Sequence, residues 1–449
     1  MASSKRQNLM SAFADFQLTV RDSFCRMFQR VSQKHAWRHR PAVTTIFLAI
    51  MFLVLAALQC PNLKNRPKPA PGAWLVLLCK AADVPQEPHP PAFYTELFSK
   101  QQPDLLFAYF DAVSNHKVDV SASEVMGWFT MDVKSADIGP TVRNNNTAVG
   151  RGQTAKDCTT AMLASLAKGG EWLDPNDYVG VITVINTDVD VGAAGKSVVL
   201  TEHPEKEVGF IAHEMIHAMG FQDHSWNTTP DVSSDHVWNH GGDTEYGDCW
   251  DMMSYRTCVF TFTTNRGSLG QGPELQAAYR ERLNWLPVGR VWNSSQQSSS
   301  TNTITLAPLS DPNKPGFLMA RIETSYGNYV VEYRENARFD RGAPPSAVLV
   351  RESRYGNKTY VVERQSGGSA WRKGDMFTDI GSFISVTVDD IVLGAATVTI
   401  NTAYAGPPAQ LGDKCGDKYV GVVRQCVGAL RCGARSNPPL VTIDYYCQP

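Results

Sequence analysis

The chain has 449 residues, of which 43% are hydrophobic and 19% charged, with a formal net charge of −2. These proportions exclude a disordered, collagen-like or coiled-coil chain, and the length favours two or three domains over one. The charge is uneven: residues 1–40 hold eight Lys and Arg against two Asp and Glu, so the remainder is mildly acidic. With no basic stripe, the composition argues against nucleic acid as a partner.

Residues 42–58, AVTTIFLAIMFLVLAAL, are seventeen uncharged residues preceded by Arg26, Arg30, Lys34, Arg38 and Arg40. That pattern predicts a single-pass type II membrane protein: a cytosolic basic tail over 1–41, a transmembrane signal anchor over 42–59 and an extracellular or lumenal body. A cleaved signal peptide, which would leave the body secreted, fits less well. Some forty residues precede the apolar run, and Leu58-Gln59-Cys60 is a poor cleavage site. The Pro-rich segment 60–73 reads as an extended stalk. Ten cysteines and sequons at Asn145, Asn227, Asn293 and Asn357 agree with export and with a disulfide-bonded glycoprotein. Four of the cysteines fall in 412–449, which reads as a small disulfide-stapled module rather than a zinc site, because paired C-x2-C spacing is lacking.

In chain order, 74–79 reads as a buried strand, 91–99 and 104–114 as helices, 117–131 as a hairpin region, 154–168 as a helix and 178–186 as a central strand. This order predicts layered α and β structure. A helix follows at 206–219, with Val208, Ile211, Ala212, Met215, Ile216 and Met219 on one apolar stripe and Gly220 as its stop. The Ser/Thr/Asn/Gln-rich segment 293–303 reads as a linker. Seven alternating segments after it (304–308, 317–323, 329–334, 347–351, 359–364, 383–388 and 396–401) predict a β-sandwich over 300–404.

The 206–219 helix carries His213, Glu214 and His217, the pattern H-E-x-x-H. Histidines at i and i+4 stand one turn apart on one helical face, so both imidazoles can reach one zinc ion. Glu214 is offset and can reach a water held by the ion, acting as general base. A third ligand is required, and Gly220 lets the chain swing back to supply it. The strict count of the extended motif gives Asp223; His224 stands one residue later, and both are competent. Downstream, EYGDCWDMMSY (245–255) offers Met252 or Met253 as a floor beneath the metal. Tyr255 is a candidate to stabilise an oxyanion, with a buried structural Tyr as the alternative. Asp248 and Asp251 read as braces of that turn, and a Cys249–Cys258 disulfide would stiffen it.

AHEMIHAMG, then DHSW and EYGDCWDMMSY, resemble the gametolysin-like and immune-inhibitor-A-like metalloproteases of the metzincin group, and the resemblance covers roughly 74–400. It implies an α+β fold: a metzincin-like catalytic domain over 74–292, with a mixed sheet and zinc-site helix, followed by the β-sandwich and the Cys-rich module. It also implies zinc-dependent hydrolysis of protein or peptide substrates. The His of the family's H-S pair corresponds to His224 with Ser225, and the Met of its turn to Met253. The sequence departs from the family in the extra residue before His224. A catalytically inactive relative that serves as a binding protein is the competing reading, and so is a metal hydrolase of other esters or amides. Intact His213, Glu214 and His217 favour an enzyme over the inactive relative.

Overall fold

The computed structural model describes residues 64–140, 148–201, 207–228, 244–255, 258–263, 270–324, 327–354, 358–364, 366–379, 382–403 and four strand segments between 414 and 448. These residues form a mixed α+β structure with several sheets and few helices. The chain divides into two compact units. In one, Lys64–Asn65 pairs in parallel with Glu171–Trp172. The other holds the layers described next, apart from residues 163–168 at the end of α3, which belong to the first.

The first layer contains β1 (Leu75–Lys80), α1 (Pro91–Leu97), α2 (Leu106–Val113), β2 (Glu124–Thr130), α3 (Ala148–Lys168), β3 (Val181–Ile185), β4 (Gly192–Ala194) and β5 (Ser197–Thr201). Its sheet runs β2-β1-β3-β5-β4, with only the edge strand β4 antiparallel. Leu75 to Cys79 are buried on both faces, as a parallel strand covered on both sides requires. A disulfide joins Cys79 to Cys158 of α3. The expected hairpin at 117–131 is corrected to a turn-rich loop and one strand. Asp119 accepts from the Ser121 N–H and Ser123 donates to the Val120 carbonyl, so extension starts only at Glu124, which pairs with β1 instead of doubling back.

Helix α4 (Val208–Ala218) follows, then β6 (Ser225–Thr228), β7 (Thr244–Glu245), α5 (Ala277–Arg282) and β8 (Val291–Asn293). The stripe Val208, Ile211, Ala212, Met215 and Ile216 sinks into one apolar cluster with α1, α2, β1 and β3. The β-rich part comprises β9 (Thr301–Leu306), β10 (Met319–Thr324), β11 (Gly327–Arg334), β12 (Ala347–Arg354), β13 (Thr359–Val362), β14 (Met376–Asp379), β15 (Ile384–Val392) and β16 (Ala395–Asn401). A seven-stranded sheet runs β8-β10-β11-β12-β13-β6-β7 and a four-stranded one β9-β16-β15-β14. The two share one core that includes Val331, Val350, Phe377, Val386 and Val398. The expected linker at 293–303 is therefore corrected: strands begin on both sides of it. The seven-stranded sheet draws β6, β7 and β8 from before residue 300 and the rest from after it.

Alternation along β11 and β12 explains how one sheet serves two cores. Tyr329, Val331, Tyr333, Val348 and Val350 face the four-stranded sheet. The opposite positions, Glu332, Arg334 and Arg351, are also fully buried. They join Asp248, Asp251, Glu274, Arg280 and Asp340 in a sealed ionic network.

The C-terminal module is a four-stranded sheet of β17 (Lys414–Asp417), β18 (Gly421–Val422), β19 (Arg431–Asn437) and β20 (Thr442–Gln448), in which Cys432 stands opposite Cys447. The type II membrane assignment is corrected: among the described residues no helix is long and apolar enough to cross a membrane. The tail, the apolar segment 42–59 and the first residues of the stalk, 60–63, lie outside the described residues. Of the sequons, Asn227 lies within β6 with its amide donating to Glu363, and Asn293 caps a turn by accepting from the Ser295 N–H. Asn145 and Asn357 lie outside the described residues.

Candidate metal centre

Helix α4 ends in a Schellman turn. The Gly220 N–H donates to the His217 carbonyl, and the Phe221 N–H to that of Ile216. Gly220 sits at φ +101°, with nothing near the place a Cβ would occupy. Gly220→Ala is therefore expected to destabilise the protein through backbone strain alone, by about 1–2 kcal/mol, read as a lower urea midpoint at unchanged slope. The turn also aims the Phe221 carbonyl at His217, whose Nδ1 lies 2.7 Å from it.

The reversed chain brings His224 back to the helix. The Nε2 atom of His217 lies 3.0 Å from that of His213 and 3.0 Å from that of His224. Each outer nitrogen faces an acceptor: Nδ1 of His213 meets the Met252 carbonyl at 3.0 Å, and Nδ1 of His224 meets a Glu245 carboxylate oxygen at 2.7 Å. A carbonyl can only accept, so Nδ1 carries the proton in His213 and His217. Burial lowers both of their pKa values to about 4, which keeps the rings neutral near pH 7. Their Nε2 lone pairs thus point at a shared space with no proton between them, and His224 is set the same way by Glu245. This donor set fits a cation of zinc type, with the outer-nitrogen acceptors that such ligands use. Among the described residues, His213, His217 and His224 are the group able to hold a metal ion.

The other ligand candidate goes elsewhere: Asp223 pairs with Arg282, whose Nη2 lies 2.6 Å from its carboxylate. His224 is held from several sides. Its own carbonyl accepts from the Tyr279 hydroxyl at 2.7 Å. The next residue starts β6, which pairs in parallel with β13. Ser225 bonds Asp251 and Gln276 within the buried network, and Ser254 donates to the Ser225 carbonyl.

Glu214 is 8% exposed and accepts from the Ala193 N–H of the edge strand β4 at 2.7 Å. Burial pushes its carboxyl pKa up, opposed by His217, the Ala193 bond and Arg151. Met252 and Met253 are fully buried in the cluster that holds α4. Their turn gives the triad a hydrogen-bond acceptor, the Met252 carbonyl. The expected Cys249–Cys258 disulfide is present beside it.

Tyr255, the tyrosine singled out in the sequence, packs against the start of α4. Its ring lies on Gly209, where a Cβ would stand 2.2 Å from Cε2, and burial raises the pKa of its phenol. The hydroxyl at the triad belongs to Tyr246, 3.0 Å from Nε2 of His224. Sequence reading assigned no role to Tyr246 or Glu245, although both stand in the quoted turn; the E-Y-G order, a tight turn ahead of the Met segment, was the available signal. No protein-family model matches the chain, and no curated protein matches it.

Proposed function

We propose that the protein is a zinc-dependent endopeptidase of the metzincin type, cleaving protein or peptide substrates. The observation that carries this reading is the convergence of three imidazole Nε2 atoms beside a buried carboxylate. His213, His217 and His224 would hold the ion, which when bound supplies Lewis acidity and makes water acidic near neutral pH.

The remaining chemistry belongs to the chain. Glu214, one residue from the first ligand, takes the proton of the attacking water. Its raised pKa makes it a stronger base than an exposed carboxylate. The Ala193 N–H fixes one carboxylate oxygen, so the group keeps its position as it gains and returns the proton. The proton then passes to the departing amine nitrogen. The Met252 carbonyl, the Phe221 carbonyl and Glu245 keep the imidazoles oriented.

The deciding experiment compares His224→Ala with Asp223→Ala for bound zinc per chain and casein cleavage. Loss of one of three ligands is expected to lower zinc affinity at least tenfold, as second-shell changes alone cost 10–100-fold. Asp223→Ala should retain the metal. Stoichiometric zinc in His224→Ala, or no zinc in the unaltered protein, would end this reading.

A further inference from the structure

We propose that Tyr246 is a catalytic residue of this site, its hydroxyl giving the hydrogen bond that stabilises negative charge on the carbonyl oxygen of the bond being cleaved. The inference rests on the metallopeptidase reading above.

Three observations place it there. The Tyr246 hydroxyl lies 3.0 Å from Nε2 of His224, the nitrogen on the side where the three imidazoles meet. Its ring centroid stands 4.2 Å from that of His224 and 6.3 Å from that of His213, so the phenol is seated against two ligands at once. Its backbone has φ +59°, a left-handed conformation that a large side chain rarely adopts. Several contacts hold it there: the Gly247 N–H donates to the Thr244 carbonyl, and Glu245 bonds His224. Gly247 itself has no room for a side chain, since a Cβ would stand 2.5 Å from Oδ1 of Asn227. Strained residues fixed by their surroundings cluster at functional sites.

Glu245 and Tyr246 therefore address the two ring nitrogens of one imidazole, Glu245 from behind and Tyr246 from the front. Nε2 has a single lone pair. When it is given to the ion, the phenol O–H is left aimed into the space the three Nε2 atoms face, where a peptide carbonyl must enter. As water adds to the carbonyl carbon, the π pair moves onto oxygen and Tyr246 donates a hydrogen bond to it. Glu214 takes the water proton. Collapse re-forms C=O, breaks C–N and delivers that proton to nitrogen. Tyr246 loses no proton in the cycle.

The test is Tyr246→Phe in the full chain, read in three ways. With 15N-labelled histidine and no metal, the variant should shift the Nε2 resonance of His224 and leave those of His213 and His217. Zinc affinity by chelator competition should stay within about threefold, because no ligand is removed. For a peptide substrate, kcat should fall about 10²-fold, as for loss of one oxyanion donor, with KM within about threefold. Tyr255→Phe should lose less. A kcat equal to that of the unaltered protein, a larger loss at Tyr255, or a tenfold loss of zinc affinity that accounts for the activity change would overturn the proposal. If zinc moves none of the three imidazole resonances in the unaltered protein, the metallopeptidase reading itself fails and takes this one with it.

Discussion

Glu214→Gln is expected to reduce kcat for peptide cleavage by about 10²–10⁴-fold while zinc content stays at the level of the unaltered chain. The substitution keeps shape and size, and the amide oxygen can still accept from the Ala193 N–H. What disappears is the capacity to take a proton. Glu214 and His213 are buried, so bulk solvent is a poor substitute for the lost base. The three imidazoles keep their outer partners, the Met252 and Phe221 carbonyls and Glu245, none of which involves Glu214. Zinc analysis beside initial rates on a peptide separates the two effects. Unchanged cleavage would remove Glu214 from the mechanism. Joint loss of zinc and cleavage would make its role structural.

Arg351→Met should destabilise the protein by about 3–5 kcal/mol, measured by urea denaturation. Arg351 is fully buried and bridges Asp248 and Glu332. The surrounding cluster holds five buried carboxylates (Asp248, Asp251, Glu274, Glu332 and Asp340) and only two other guanidiniums, those of Arg280 and Arg334. Burial pushes the carboxyl of Asp248 up to about 6 against the pull of Arg351, and those of Asp251 and Glu274 upward as well. The network already carries more acid groups than cations, and losing one cation leaves Asp248 without its guanidinium and Glu332 with Arg334 alone. Asp248 and Asp251 flank Cys249 and Trp250 and lead into the Met252 turn, so the disturbance reaches the carbonyl behind His213. A loss below about 1 kcal/mol would mean that water or rearranged neighbours replace the guanidinium.

The parts of the fold legible in sequence were those written in local periodicity. The stripe of α4 and its Gly220 stop are properties of a dozen adjacent residues, and the structure places the helix at Val208–Ala218. The strands at 75–80, 181–185 and 347–354 were legible for the same reason. The choice between Asp223 and His224 was not local. It turns on Arg282, which lies 59 residues further on and draws Asp223 away, and on the Tyr279 hydroxyl, which holds the His224 backbone. The buried arginines were hidden by their pattern. In β11 the order Val331, Glu332, Tyr333, Arg334 alternates as a half-exposed strand does, and a charged face ordinarily meets water. Here it meets a second core. Tyr255 was singled out and Tyr246 given no role because motif spacing carries no information on which way a ring turns; Gly209 offers Tyr255 a flat place against the helix.

The seven-stranded sheet has a consequence for how this chain can be rebuilt. Transplanting residues 206–255 into a foreign scaffold would carry all three histidines and Glu214, yet β6 would arrive without β13, its parallel neighbour. The third imidazole would then precede a strand held on one side only, by the two residues of β7. Chimeras and minimised versions should accordingly keep the stretch from β1 through β16 uncut and place their crossover points outside it.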